Sequence, residues 1–516
     1  MSANVVAIDL GTTGVKVAVV DGGGCVLAGA GEVIAMIFTD GGGVEQDPDA
    51  WWEAIGRCTR RAIGQSTVDG GDVDLIAVTS QYTSTVAVAA DGRPLANAIM
   101  WMDGRGRRHN PAAEDPATVP RWLELHGMAP GGNDDIGHVA FIRYEWPDVY
   151  AAAAAFVEPM DYVAARLTGR VTATQNTMFP MMAVDNRTWG LTSYSEELLS
   201  LSALDVAKLA PLVPLGEPRG RITKAAAEHL GVSPDATVMG ATIDSVTSSV
   251  GTGAIDASHC GLIIGTTTVM ATHVPSKRLD AMHGLTTAPS PLPDMYFLVA
   301  ENGIGGKALE VFVDNIVYPA DGLGSDRPRD AFEQVLAAAA GVPPGAHGVM
   351  FLPWLVGSMA PGYERRNRGG FVNLGLTSDR RDMCRAVLEG VALNAAWLLP
   401  HFAALAGGSA TEVSLGGGGA ASPLWGQILA DCFGVAVRRL SNPTTTNAHG
   451  AALLALVEAG FVRLDEVRSL LTTEQVHEPQ PAANGRYQQL LDSFIDFHDR
   501  TAPFYQSLNS PKDHPS

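Results

Sequence analysis

The opening residues limit the possible folds more than any other part of the chain. Residues 5–10 form a short apolar run, Gly11-Thr12-Thr13-Gly14 interrupts it, and residues 15–21 return to β-branched and apolar types. Gly22-Gly23-Gly24 then turns the chain into a third run over 25–30, so the segment predicts a β-meander. The theme recurs later, with an apolar run over 261–264, the turn Gly265-Thr266-Thr267, and a second run over 269–274. One glycine-threonine hairpin in each half predicts an α/β chain of two related domains facing each other. The boundary is expected near Gly251-Thr252-Gly253, which gives domains of 1–253 and 254–506. A polar, proline-bearing tail over 507–516 is expected to fray. A length of 516 residues also exceeds what one core organises.

Composition removes several function classes. Lys+Arg is 35 against 55 Asp+Glu, a net charge of −20, which repels nucleic acid and anionic membrane alike. No stretch has the apolar length of a membrane span, and Met1-Ser2-Ala3-Asn4 lacks the basic region of a signal peptide. The five cysteines are scattered and form no C-x-x-C pair, so a reducing, cytoplasmic setting is expected and a zinc site is not.

Four segments carry candidate chemistry. In Asp9-Leu10-Gly11-Thr12-Thr13-Gly14-Val15-Lys16 the glycines admit backbone N–H groups to phosphate oxygens, and the threonines add hydroxyl donors. Asp9 can hold Mg²⁺ directly or through water, and Lys16 can reach a phosphate as a point charge. This is no Walker loop, because it joins two strands rather than a strand and a helix. A plain hairpin would use the same residues, but the second copy at Gly265, Thr266 and Thr267 favours a clamp on one phosphate chain. In the segment 238–245, Asp244 follows a strand of small residues and opens a helix. It reads either as a simple N-cap or as a general base, one whose pKa the helix N-terminus would lower. The third group, Gln81, Tyr82 and Thr83 with Trp101, Asp103 and Arg105, offers fixed polar side chains and an aromatic wall suited to a polyol. The fourth is Gly416-Gly417-Gly418-Gly419, where a nucleotide can lie against bare backbone. Ser422 and Pro423 follow as the N-cap and first turn of a helix.

The order of these motifs resembles the FGGY family of carbohydrate kinases, most closely its xylulose kinases, over residues 5–460. Further matching pieces are Glu45-Gln46-Asp47-Pro48 with Trp51-Trp52, Trp101-Met102-Asp103-Gly104-Arg105, Asp161-Tyr162 with Leu167-Thr168-Gly169, Arg385–Gly390 and Gly450-Ala451-Ala452. The resemblance implies two actin-like (ribonuclease H-like) domains flanking a catalytic cleft. It implies ATP and Mg²⁺, Asp244 as catalytic base, Asp9 as a carboxylate at the metal, and sugar contact by 81–83. The implied reaction phosphorylates a small sugar or polyol, first D-xylulose, with ribulose, erythritol and glycerol as alternatives. A homodimer is left open.

The family's Gln-Met-His-Gly is Gln81-Tyr82-Thr83-Ser84 here. Thr268 replaces a glycine, Met160 a lysine, His138 and Phe141 a lysine and a tryptophan, and Ser245 an asparagine. The departures gather on the sugar side. A non-kinase actin-like ATPase shares the two hairpins but does not need Trp101, Asp103 and Arg105. A catalytically dead sensor would not need both Asp9 and Asp244.

Overall fold

The computed structural model describes residues 3–110, 115–322, 324, 326–408 and 410–510. The opening meander forms as expected. Asn4–Gly11, Gly14–Val20 and Val26–Val33 pair antiparallel in succession. Asn4–Gly11 also pairs parallel with Val73–Ser80, which pairs parallel with Thr237–Ile243, and Gly220–Arg221 closes the edge of this six-stranded sheet. The second sheet has eight strands and repeats the order. Cys260–Ile264, Thr267–Val274 and Tyr296–Ile304 are the antiparallel trio, and Glu412–Gly416 and Ala436–Leu440 add in parallel to the first of them. Each sheet therefore places its first strand centrally, between its own hairpin partner and a parallel strand. This is the duplicated α/β plan that the two hairpins predict, and it is the actin-like architecture.

The first strand is buried on both faces. Val6, Ile8 and Leu10 join one core with Trp51, Trp52 and Ile55 of the helix Pro48–Gln65. That helix starts as its sequence dictates, with Asp47 accepting the Asp49 N–H and Pro48 in the first turn. Ala3, Val5 and Ala7 face the other way, into a core built with the helix Thr446–Glu458. Asp9 shares this second parity.

The helix Thr446–Glu458 comes from the late part of the chain yet packs on the early sheet, so the cores do not divide where the sequence divides near residue 253. It crosses the helix Asp244–Gly251 at two glycines. A Cβ on Gly450 would overlap the Thr247 carbonyl oxygen, and one on Gly251 would overlap that of Thr446. The late core centres on the helix Arg380–Ala406. Among the described residues this is the one helix long and apolar enough to cross a membrane, and 83% of its most apolar window is buried inside the protein. The last helix, Pro481–Leu508, extends through residues 507 and 508 of the tail expected to fray; residues 511–516 lie outside the described residues. All five cysteines are free thiols.

Glu458 ends the crossing helix beneath the first sheet. One carboxylate oxygen accepts the Gly240 N–H at 3.3 Å, and the other has no partner. Burial raises its pKa to about 7, against the Gly240 hydrogen bond and the Arg219 charge. A carboxylate with a raised folded-state pKa stabilises the fold below its unfolded pKa, and that stability is lost as pH rises through about 7. Glu458→Gln is therefore expected to stabilise the protein at pH 8 by about 2–3 kcal/mol and to leave it nearly unchanged at pH 5. Thermal melts at the two pH values check this; equal shifts at both would place the effect in packing rather than ionisation.

Candidate active site

Three parallel strands of the first sheet end side by side, and their register sets Asp9 beside Thr79 and Thr79 beside Thr242. The Thr79 hydroxyl donates to the Thr242 carbonyl at 3.0 Å and lies 3.0 Å from the Thr247 hydroxyl. These contacts bind the strand ends to the helix Asp244–Gly251 and bring Asp9 and Asp244 to one edge.

Asp244 is the first residue of that helix, and the N-cap position belongs to Ile243. It therefore does not occupy the N-cap itself, although its carboxylate accepts the adjacent Ser245 N–H in the first turn. Its carboxylate meets the Ser245 hydroxyl at 3.3 Å. Burial, then the charge of Asp9, raises its pKa to about 7; bonds from Ser245 oppose the shift and Glu301 adds to it. The expectation of a base weakened by the helix N-terminus is thus reversed, because withdrawal from water and a like charge outweigh the dipole.

Asp9 is 4% exposed. Burial raises its pKa to about 6, opposed by the charge of Lys16 directly across the hairpin and by a hydrogen bond to Asn447. Its Oδ1 has no partner. A buried, unpartnered carboxylate oxygen beside a second carboxylate fits a hard divalent cation, which takes oxygen ligands. Asn447 also accepts from the Ser248 hydroxyl at 2.7 Å, coupling Asp9 to the helix that bears Asp244. Sequence reasoning missed Asn447. It lies outside every recognised motif, and only the crossing of its helix onto the first sheet brings it here.

On the proposed sugar side, Gln81 and Trp101 converge on Thr12. The Trp101 indole N–H donates to the Thr12 hydroxyl at 3.1 Å, and that hydroxyl donates to Gln81 Oε1 at 2.8 Å. Thr12, expected at the nucleotide, therefore has its hydroxyl occupied by two residues expected at the sugar. Gln46 Nε2 donates to the Thr12 carbonyl and Gln46 Oε1 accepts from Trp51. Gln81 Nε2 is buried and has no partner. Half-buried Tyr82 hydrogen-bonds Ser245. Burial and then the charges of Asp244 and Glu301 push its phenol pKa well up, so it stays protonated. Glu301, on a strand of the second sheet, is exposed to solvent, yet its charge is felt at both Asp244 and Tyr82. No motif marked it.

Asp103 and Arg105 pair with each other. Asp103 is 1% exposed, and its oxygens accept from Val44 N–H and from Arg105. The guanidinium also holds Glu45 at 2.7 Å and lies 4.3 Å from the centre of the Phe141 ring. Each charge therefore already has an ionic partner within this cluster.

On the nucleotide side, Thr13, Lys16 and Thr266 are exposed, and Gly11, Gly265 and Thr267 are partly so. Gly305 and Gly306, which the sequence reading passed over, donate to the carbonyls of Thr266 and Gly265 at 3.0 and 2.7 Å. A Cβ on either would press on the 265–268 loop. The tetraglycine segment lies against the strand that leads into this loop. Gly417 has φ +79°, and a Cβ on Gly417 or Gly419 would meet Ile264 at 2.7 Å. A Cβ on Gly418 would only reach van der Waals contact with the Ile264 carbonyl at 4.0 Å, and Gly416 is close enough to Thr446 that a Cβ would come within 3.1 Å. Thr446 adjoins Asn447, so two consecutive residues join the glycine loop to Asp9.

A duplicated actin-like fold with glycine-threonine hairpins and paired carboxylates at strand ends is the frame of a sugar kinase. The model of the FGGY family of carbohydrate kinases, N-terminal domain, matches residues 4–251, and that of the C-terminal domain matches 260–459. The chain belongs to this family. It is 25% identical to a xylulose kinase of Staphylococcus epidermidis over 506 residues, covering 96% of this chain and 97% of that protein. It is 24% identical to a gluconokinase of Bacillus licheniformis over 529 residues, covering 99% and 100%. The solved structure of a ligand-bound xylulose kinase from Lactobacillus acidophilus superposes with a TM-score of 0.85 at 22% identity, covering 98% and 100%.

Proposed function

We propose that this carbohydrate kinase transfers the γ-phosphate of ATP to a hydroxyl of a small, uncharged ketose or polyol, D-xylulose first, with Asp244 as general base. The observation that carries this reading is the Asp244 carboxylate, brought to one edge with Asp9 and raised by burial and that charge to a pKa of about 7. A group that titrates near neutrality can take the proton of an attacking hydroxyl and return it to solvent. Residues 1–253 supply the sugar contacts and the first phosphate loop, and 254–506 supply the second loop and the adenosine side. Phosphoryl transfer has a loose transition state, so alignment of the two substrates dominates. Backbone N–H groups and hydroxyls of the loops 11–13 and 266–267, with Lys16, orient the phosphates. Mg²⁺, when bound, neutralises charge on the phosphates, and Asp9 is the residue that would hold it. The cytoplasm, where ATP and reduced thiols occur together, is its place of action.

The charge of the sugar side favours a neutral substrate. The ionised neighbours felt at Tyr82 are Asp244 and Glu301, and Arg105 is bound within its own cluster. A sugar acid would bring a carboxylate toward these groups. ADP release is therefore expected to depend strongly on D-xylulose, ribulose, erythritol or glycerol and to respond weakly to gluconate. Tyr82→Met should reorder the sugars and leave the KM for ATP within about twofold. Turnover best supported by gluconate would overturn the neutral-substrate reading.

A further inference from the structure

Beneath the Tyr82 loop lies a set of buried polar groups that no motif marks and that the reaction does not use. Glu158 and His138 are 0% exposed, and Asp135 and Thr85 are 1% exposed. Glu158 stands at the N-cap of the helix Pro159–Thr168 but makes no cap bond. Its two oxygens instead accept the backbone N–H groups of Thr83 at 3.0 Å and Ser84 at 3.2 Å. Asp135 Oδ1 accepts the Thr85 hydroxyl at 2.8 Å, and His138 Nδ1 lies 3.1 Å from the same hydroxyl. The other ring nitrogen of His138 faces the Asp103 carbonyl at 3.2 Å, and a carbonyl only accepts, so this nitrogen carries a proton.

Three consecutive residues, Thr83, Ser84 and Thr85, are thus held by one acid pair. Thr83 needs such holding, because its φ of 61° is left-handed, a region that β-branched residues rarely enter. The second oxygen of Asp135 is buried and finds no donor among the described residues other than the neighbouring Glu158 carboxyl, with which it interacts. Two carboxyl groups can bond to each other only if one keeps a proton. Burial and the neighbouring charge of Asp135 raise the Glu158 pKa well above the usual range, while for Asp135 burial is outweighed by hydrogen bonds from Glu158, His138 and Thr85 that lower it, so the proton sits on Glu158. Glu158 then donates once toward Asp135 and accepts twice from the loop.

We propose that Glu158 and Asp135, joined by one shared proton, are positioning residues for the sugar: they fix the turn over 83–85 and so set Tyr82 against Ser245 beside Asp244. This rests on the reading of 81–83 as sugar contacts. His138, where the family usually carries lysine, belongs to the same network, which ties this departure to the altered residues at 82–84.

Two variants separate positioning from bulk. Glu158→Gln puts an N–H₂ group against a backbone N–H and leaves it without an acceptor. Asp135→Asn supplies an amide donor to an ionised Glu158, replaces the shared proton, and keeps an acceptor for Thr85. With D-xylulose, Glu158→Gln is expected to raise the sugar KM on the order of tenfold with the ATP KM unchanged, and Asp135→Asn to hold the sugar KM within about threefold. In the free protein, hydrogen exchange at the Thr83 and Ser84 amides should quicken on the order of tenfold in Glu158→Gln and stay near wild type in Asp135→Asn. Unchanged exchange in Glu158→Gln, equal damage by both variants, or equal rises in the ATP and sugar KM values overturn the proposal. If wild type shows no sugar-dependent turnover, the sugar reading of the loop fails and the proposal that rests on it falls too. The exchange data then still show separately whether the acid pair holds the turn.

Discussion

Asp244→Asn is expected to lower kcat by a factor on the order of 10²–10⁴, with the KM for ATP within about twofold of wild type. The substitution keeps shape and size. It keeps an oxygen for Ser245 and removes only the capacity to accept a proton. Asparagine also keeps an oxygen for the Ser245 N–H, so its helix should not weaken, and at pH 8 thermal stability should rise by about 2–4 kcal/mol. The rise follows from the pKa of about 7: above that pH the folded protein holds a poorly solvated charge beside Asp9, and asparagine removes it. A base must be ionised to act, so wild-type kcat/KM should increase with pH along an acid limb at or below about 7. A cation on Asp9 moves the limb lower, since it cancels the charge that helps raise Asp244. The variant should lose this limb. Steady-state rates across pH 5–9 decide the matter; near-normal kcat, or an unchanged limb, would remove Asp244 from the role of base.

The fold was legible because its constraint is local. A glycine-threonine turn between two β-branched runs can only be a hairpin, and finding it twice implies a duplicated sheet. Helix starts at Asp47-Pro48 and Ser422-Pro423 were readable for the same reason, since capping is decided within four residues. The nearest motifs were the hardest to interpret. Trp101, Asp103 and Arg105 form one conspicuous pattern, yet Trp101 turns to Thr12 while Asp103 and Arg105 close on each other and on Glu45. Spacing shows that charges are close, not whether they satisfy one another.

What stayed hidden depends on contacts between distant segments. Asn447 reaches Asp9 only because two glycines let its helix cross another at backbone contact. Glu301 comes from the opposite sheet. Asp135 and Glu158 are ordinary acids at helix starts until tertiary packing shares a proton between them. The Asp244 pKa was misjudged for a related reason: the helix dipole is visible in the sequence, but burial and the charge of Asp9 are not.

Asp9→Asn is expected to separate function from stability most clearly. Activity should fall on the order of 10²-fold at about 1 mM Mg²⁺, and the Mg²⁺ concentration for half-maximal rate should rise on the order of tenfold, because an amide oxygen is a poorer ligand for a hard cation than a carboxylate. Stability should move the opposite way. The folded-state pKa of about 6 lies above the ordinary aspartate value of about 3.9, so Asp9 contributes stability below the unfolded value that is lost as pH rises through about 6. At pH 8 and without Mg²⁺ the asparagine variant should therefore be about 2–3 kcal/mol more stable than wild type, and near pH 3.5 the two should nearly coincide. Millimolar Mg²⁺ should stabilise wild type and leave the variant almost unmoved, since a ligand raises stability only as far as it binds the folded state. Removing the like charge should also lower the pKa of Asp244 and shift the acid limb of the residual activity downward. A residue that merely ends a strand would give none of these couplings. An Asp9→Asn protein with unaltered Mg²⁺ dependence, or one that Mg²⁺ stabilises as well as wild type, would show that the cation is held elsewhere and that the unpartnered oxygen of Asp9 serves another purpose.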